Sequence, residues 1–201
     1  MSEMNLCNLL KAGAAAAAGI MASAAANAGI PAAKVEKYDE EYDVVIIGSG
    51  FAGMACALKA GRAGKKVLML EKMPVVGGNS AICGGNVACP VNPVQKAQGI
   101  KDSRELFIAD CLKDGLGLNH VELLSKIVDR CNDTIKFVED CGAEFVPNHM
   151  LFEGGHSVPR SYEIKAGTGS GYIHPMYDQI KKLSNVTVKT CLLYTSDAAD
   201  E

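Results

Sequence analysis

The sequence contains no tryptophan, and aromatic residues make up only 5% of it. It has no run of basic residues and no basic side chains interleaved with aromatics, which removes support for nucleic-acid binding. None of its 8 cysteines forms a C-x-x-C pair, and there is no C-x-x-C-H for haem attachment. His120, His149, His156 and His174 are scattered singly, so metal-ligand spacing is missing too and no metal site is expected. No apolar stretch is long and hydrophobic enough for a stable transmembrane anchor. What is there is a chain of 201 residues, 48% hydrophobic and with a net charge of −3. That is ample material for a core in one or two domains and excludes a disordered chain. The cysteines accordingly read as small buried hydrophobes rather than a disulfide framework.

The most informative stretch is Asp43-Val44-Val45-Ile46-Ile47-Gly48-Ser49-Gly50-Phe51-Ala52-Gly53. A run of β-branched apolar residues predicts a strand buried on both faces, as in a parallel sheet. A G-x-G-x-x-G loop follows, and then a small-residue helix from Met54 to Ala60. Gly48 would allow the tight turn, Gly50 a close backbone approach to a pyrophosphate, and Gly53 close packing of helix on sheet. The first-turn N–H groups of the helix would then face the anion. The helix dipole contributes only about 0.3–1 kcal/mol. Hydrogen bonds to a charged group, at roughly 1.5–3 kcal/mol each, must carry most of the grip. Lys65 to Glu71 reads as a second strand ending in an acid. Glu71 lies 18 residues beyond Gly53, close to the roughly 20 expected of a carboxylate that binds a ribose hydroxyl.

Beyond Glu71 the chain continues Lys72-Met73-Pro74-Val75-Val76-Gly77-Gly78-Asn79-Ser80-Ala81-Ile82-Cys83-Gly84-Gly85-Asn86. The succession G-x-G-x-x-G, E-K-x-P-x-x-G-G-N-[SA] and a further Gly-Gly resembles the FAD-binding domain of fumarate reductase flavoproteins, in their flavocytochrome c and urocanate reductase branch. The resemblance runs from about Tyr42 to Thr190. It implies a three-layer α/β, Rossmann-like FAD-binding domain built on a parallel sheet, over residues 42–190 and incomplete at its C-terminus. It further implies cofactor contacts at Ala52, Glu71, Asn79, Ser80, Gly84 and Gly85, beside Gly48, Gly50 and Gly53. A dithiol mechanism is disfavoured, because Cys83 and Cys89 are separated by five residues and lack the flanks of a redox pair.

Further on, Asp102 to Ile108 opens a helix, and Asn119 with Glu122 reads as a capping box for a long one. Val121, Leu124, Val128, Cys131, Ile135 and Val138 form an apolar stripe on that helix, and Gly142 would end it. A helix is expected from Ile173 to Leu183 and a third strand from Asn185 to Thr190. His156 and Arg160 invite a reading as carboxylate binders, but a satisfied loop histidine and a surface arginine are the expectation.

Both termini carry separate expectations. Residues 1–28 are low in complexity from Ala12 onward and end in an A-x-A site, resembling an export signal, with residues 29–41 as a linker. The Ala/Gly-rich core looks like a twin-arginine signal, yet Leu6-Cys7 stand where the arginines should be; a cytoplasmic Ala-rich leader is the alternative. Residues 191–201 resemble a translated sequencing adapter, so the natural sequence is expected to break off near Thr190; a genuine polar tail is the alternative.

The resemblance implies a flavin-dependent oxidoreductase that reduces the activated C=C bond of a small unsaturated carboxylate by hydride transfer from N5 of FAD, with an electron donor the sequence does not identify. It places the family's catalytic residues downstream of Thr190, so no catalytic residue is assigned. The alternatives are another FAD-dependent dehydrogenase or oxidase, of the ketosteroid dehydrogenase or aspartate oxidase type, or an inactive truncated fragment.

Overall fold

The computed structural model describes residues 38–192. The expected export signal (1–28), the linker up to residue 37 and the tail beyond residue 192 lie outside them. By contacts the chain divides into two compact units, one comprising residues up to Gly78 and from Tyr177 onward, the other Asn79–Met176.

The first unit is a three-stranded parallel sheet with a helix. Strand β1 is Val44–Ile47, helix α1 is Phe51–Arg62, and strand β2 is Val67–Leu70. Val44 pairs with Val67 and Ile47 with Leu70. The third strand, β5 (Val186–Lys189), lies in parallel on the other side of β2, Val67 pairing with Val186 and Leu70 with Lys189. The order β1-β2-β5 makes β2 central, and all its residues are buried. The sequence-based expectation that β1 is buried on both faces is overturned: Ile47 is 73% exposed and only Ile46 is buried. A run of Val and Ile reports strand propensity; burial follows from position, and β1 has a neighbour on one side only among the described residues.

Helix α1 turns Met54, Ala57, Leu58 and Gly61 inward, the i, i+3, i+4, i+7 face of an amphipathic helix. Small residues set how close it comes. A Cβ on Gly61 would lie 2.5 Å from the Val186 side chain of β5, so the helix is seated directly on the sheet. Asn185 closes its far end, its side-chain amide donating to the carbonyls of Gly61 (2.9 Å) and Lys65 (2.7 Å).

The second unit is mostly helical. It contains α2 (Asn79–Ile82), α3 (Pro93–Ala97), α4 (Arg104–Asp114), α5 (Val121–Cys141) and the start of α6 (Ser170–Ile180). Strands β3 (Val87–Ala88) and β4 (Ser161–Tyr162) form a short antiparallel pair. The capping box is not at Asn119–Glu122. Helix α5 starts at Val121 with His120 as an N-cap that makes no side-chain cap bond, while Asn119 Oδ1 is buried without a partner. The box occurs instead on α3, where Asn92 and Gln95 cap reciprocally. The stripe on α5 behaves as core from Val128 to Val138, and Gly142 ends the helix in the left-handed conformation. Its first residue does not: Val121 is 49% exposed, because the stripe meets packing partners only after the first turn. Helix α6 begins and ends three residues earlier than expected, with Pro175 inside it.

Candidate functional site

The residues singled out from the sequence fall into two groups: Gly48, Gly50, Ala52, Gly53 and Glu71 in the first unit, Asn79, Ser80, Gly84 and Gly85 in the second.

In the first group the chain leaves β1 and turns at Gly48, whose φ of +93° is a conformation that a side chain would strain. The Gly48 N–H donates to the Leu70 carbonyl at 2.7 Å, tying the loop to the end of β2. Gly50 is the N-cap of α1 and supplies no side chain to cap it. No acidic residue stands in the first turn, and Ala52 is exposed there. A Cβ on Gly53 would sit 2.1 Å from the Gly48 carbonyl oxygen, so α1 can start where it does only if that position is glycine. A helix start without a side-chain acceptor, with a positive end and a bare backbone loop, is suited to an anion.

Glu71 closes the other side of this loop. It is only 5% exposed, and its backbone is fixed by Glu71 N–H to Lys189 O at 2.8 Å and Leu192 N–H to Glu71 O at 3.3 Å. Its carboxylate does not point into solvent. Oε2 accepts from the Ser49 N–H (3.0 Å) and from the Ser49 hydroxyl; Oε1 accepts from the Met73 N–H (2.9 Å). Burial by itself would push the carboxyl up, but these bonds, with the backbone of Lys72, hold it below the usual carboxylate range. Ser49 was not singled out from the sequence because it occupies a variable position of the glycine motif. It is fully buried, and its Oγ also accepts from the Gly77 N–H at 2.8 Å. A hydroxyl between two glycines, directly after a strand, was the one available signal.

In the second group Asn79 is exposed and Ser80 half-buried, both on the short α2. Gly84 has open space around it. Gly85 has φ +74°, and a Cβ there would lie 2.6 Å from Ile164 and 2.9 Å from the Thr168 backbone. Packing within its own unit therefore already demands glycine at 85. The same holds at Gly169, where a Cβ would meet the Ser80 carbonyl at 1.9 Å, a constraint not visible in the sequence.

Arg160 is not a surface arginine. It is fully buried and bidentate on Asp102 (Nε–Oδ2 3.0 Å, Nη2–Oδ1 2.9 Å), with Nη1 on Asp110 Oδ2 at 2.5 Å. The Phe107 ring lies 4.7 Å from its Cζ. Such a guanidinium, with three N–H donors on carboxylates and no exposed surface, is not presented to a substrate. His156 sits edge-on to Phe107 at 5.6 Å, and its Nδ1 has no hydrogen-bond partner, so it is not the satisfied loop histidine expected. The cysteines divide: Cys89, Cys131 and Cys141 are buried as expected, whereas Cys56, Cys83 and Cys191 are exposed. No group of residues that could hold a metal ion occurs among the described residues, nor a helix long and apolar enough to cross a membrane.

Residues 43–195 match the protein family described as FAD binding domain. The chain is 41% identical over 177 residues to the acrylate reductase flavoprotein subunit of Shewanella woodyi, an alignment covering 88% of this chain and 35% of that protein. It is 36% identical over 148 residues to the urocanate reductase of Eggerthella lenta, covering 74% of this chain and 24% of that one. Among solved structures, the open conformation of a flavocytochrome c3 fumarate reductase superposes with a TM-score of 0.67 at 29% identity, over 74% of this chain and 26% of that chain. The chain thus spans between about a quarter and a third of the length of these relatives.

Proposed function

From the premise that this chain belongs to the FAD binding domain family, we propose that it supplies the cofactor-holding part of an oxidoreductase that reduces the activated C=C bond of an unsaturated carboxylate. The names of its relatives, reductases of acrylate, urocanate and fumarate, support that substrate class. The residues of the first unit fit the cofactor. The observation that carries the reading is the junction of an uncapped helix start with a buried carboxylate at the tip of the neighbouring strand. In this reading the first-turn N–H groups of α1 hold the diphosphate, and Glu71 accepts a hydroxyl of the adenosine ribose. Gly48 and Gly53 keep the loop bare. When bound, reduced FAD supplies a hydride from N5 to one carbon of the double bond. Protonation of the other carbon is assigned to no residue of this chain, and Arg160 is unsuited to it because it is fully buried with N–H groups on Asp102 and Asp110. Export by the N-terminal segment is part of the same proposal.

The test is flavin retention. Gly50→Val puts a branched side chain where the diphosphate would approach, and Glu71→Ala removes the ribose acceptor. Each should lower FAD affinity by about tenfold or more, the equivalent of one hydrogen bond to a charged group. Purified variants that both retain the wild-type visible flavin absorbance would overturn the reading.

A further inference from the structure

We propose that Ser49 is a positioning residue that turns the Glu71 carboxylate so that Oε1 receives the ribose hydroxyl; the proposal rests on the FAD reading above. Ser49 is fully buried, and its N–H and hydroxyl both converge on this junction. Its hydroxyl accepts from the Gly77 N–H (2.8 Å), so its proton is directed to Glu71. Its N–H reaches the same oxygen, Oε2, at 3.0 Å. Two donors on Oε2 fill the acceptor positions of that oxygen, since an ionised carboxylate offers about four in all. Oε1 carries the Met73 N–H at 2.9 Å and is the oxygen with fewer close donors, the Lys72 backbone adding only the weakest pull on the carboxylate.

The arrangement also explains how a carboxylate with no cation among its hydrogen-bond partners stays ionised in a buried place. Neutral donors stabilise the charge without neutralising it. Ser49 further links three segments: the loop after β1, the end of β2 and the Gly77 turn. A cofactor ribose seated on Glu71 would therefore depend on a side chain that never touches it.

The experiment compares FAD with an FAD analogue whose adenosine ribose lacks the 2′ and 3′ hydroxyls, titrated by flavin fluorescence into wild type, Ser49→Ala, Ser49→Thr and Glu71→Gln. Wild type should prefer FAD by about tenfold. Ser49→Ala should bring that preference close to unity while binding the analogue as wild type does, and Ser49→Thr, which keeps a hydroxyl, should restore it. A merely structural role would weaken both ligands equally and leave their ratio unchanged, which overturns the proposal. If Ser49→Ala does not fold, loss of the preference in a folded Ser49→Thr overturns it and retention supports it. FAD affinity in Ser49→Ala should also begin to fall at a higher pH than in wild type, because removing a hydrogen bond to the ionised form raises the carboxyl pKa. Wild type that binds FAD and prefers its ribose, with Ser49→Ala unchanged, defeats the role of Ser49 alone; wild type that binds no FAD defeats the cofactor reading itself.

Discussion

The two units bury acidic side chains by opposite means. In the first, Glu71 is held by a serine hydroxyl and backbone N–H groups, all neutral. In the second, Asp102 and Asp110 are held by Arg160, with Gln95 and Ser157 completing the network at 2.8 Å each. The arginine bridges two carboxylates with a single charge and three of its N–H donors, and it has no exposed surface to offer a ligand. The neutral donors keep the Glu71 charge in place and leave Oε1 with one close donor, the Met73 N–H. Burial and a depressed pKa are common to Glu71 and Asp110 and so do not separate a binding carboxylate from a structural one. The charge of the partners does.

The largest expected effect is on the cationic side. Arg160→Met removes the guanidinium from a fully buried site and strands two carboxylates there. Breaking a buried pair in this way costs about 3–5 kcal/mol. Urea denaturation should show the loss, and the variant should form inclusions or melt well below wild type. A midpoint within experimental error of wild type would mean that the Asp102–Arg160–Asp110 network is not what holds the second unit together.

Glu71→Gln probes the neutral side and should cost less. The amide keeps the shape and one acceptor oxygen but presents an NH₂ to donors, leaving at least one of Ser49 N–H, Ser49 Oγ and Met73 N–H badly matched. The expected destabilisation is about 1–3 kcal/mol, the cost of an unsatisfied buried polar group. A larger loss than in Arg160→Met would reverse the comparison and make Glu71 primarily a structural residue.

How much of this was legible beforehand differs between the units in the same way. The parallel strands, α1 and the acid at the end of β2 were readable because each is a local pattern: a β-branched run, a glycine motif, a residue at a set distance. Ser49 was not, since its role depends on Glu71 and Gly77, which are 22 and 28 positions away. Arg160 was misread as a surface side chain for the same reason: its partners Asp102 and Asp110 are 58 and 50 residues distant, and nothing near it in sequence shows the pairing. Gly85 was singled out only as an implied cofactor contact, whereas the structure shows a packing demand for glycine there, since Ile164 and Thr168 crowd it from across the unit. The capping box was placed on Asn119 by spacing, whereas the side chain of Asn119 lies against Gly115, so the box could not form.

The smallest effect, and the one that separates the two carboxylates most directly, lies in the acid range. Burial alone would push Asp110 up, yet two bonds from Ser157 and the Arg160 guanidinium hold its carboxyl down to about 2. In the unfolded chain an aspartate titrates near about 3.9 and a glutamate near about 4.3. Both groups are therefore depressed on folding. The stability each contributes is fully present above its unfolded value and is lost as the pH falls through its folded one. For Asp110 that window runs from about pH 4 down to about 2. Asp110→Asn should flatten the fall in stability over that window, measured as urea midpoints at stepped pH. Glu71→Gln should flatten only the part beginning just below about pH 4.3. The decisive contrast is salt. The Asp110 contribution includes Coulomb attraction to Arg160, though screening is weak at a buried pair, whereas the Glu71 carboxyl is held down by neutral hydrogen-bond donors. Raising the ionic strength should shift the acid limb of the Glu71→Gln variant, where Asp110 remains, slightly more than that of Asp110→Asn, where Glu71 remains. The reverse order would show that Glu71 has a cationic partner and that its charge is not held by neutral donors alone.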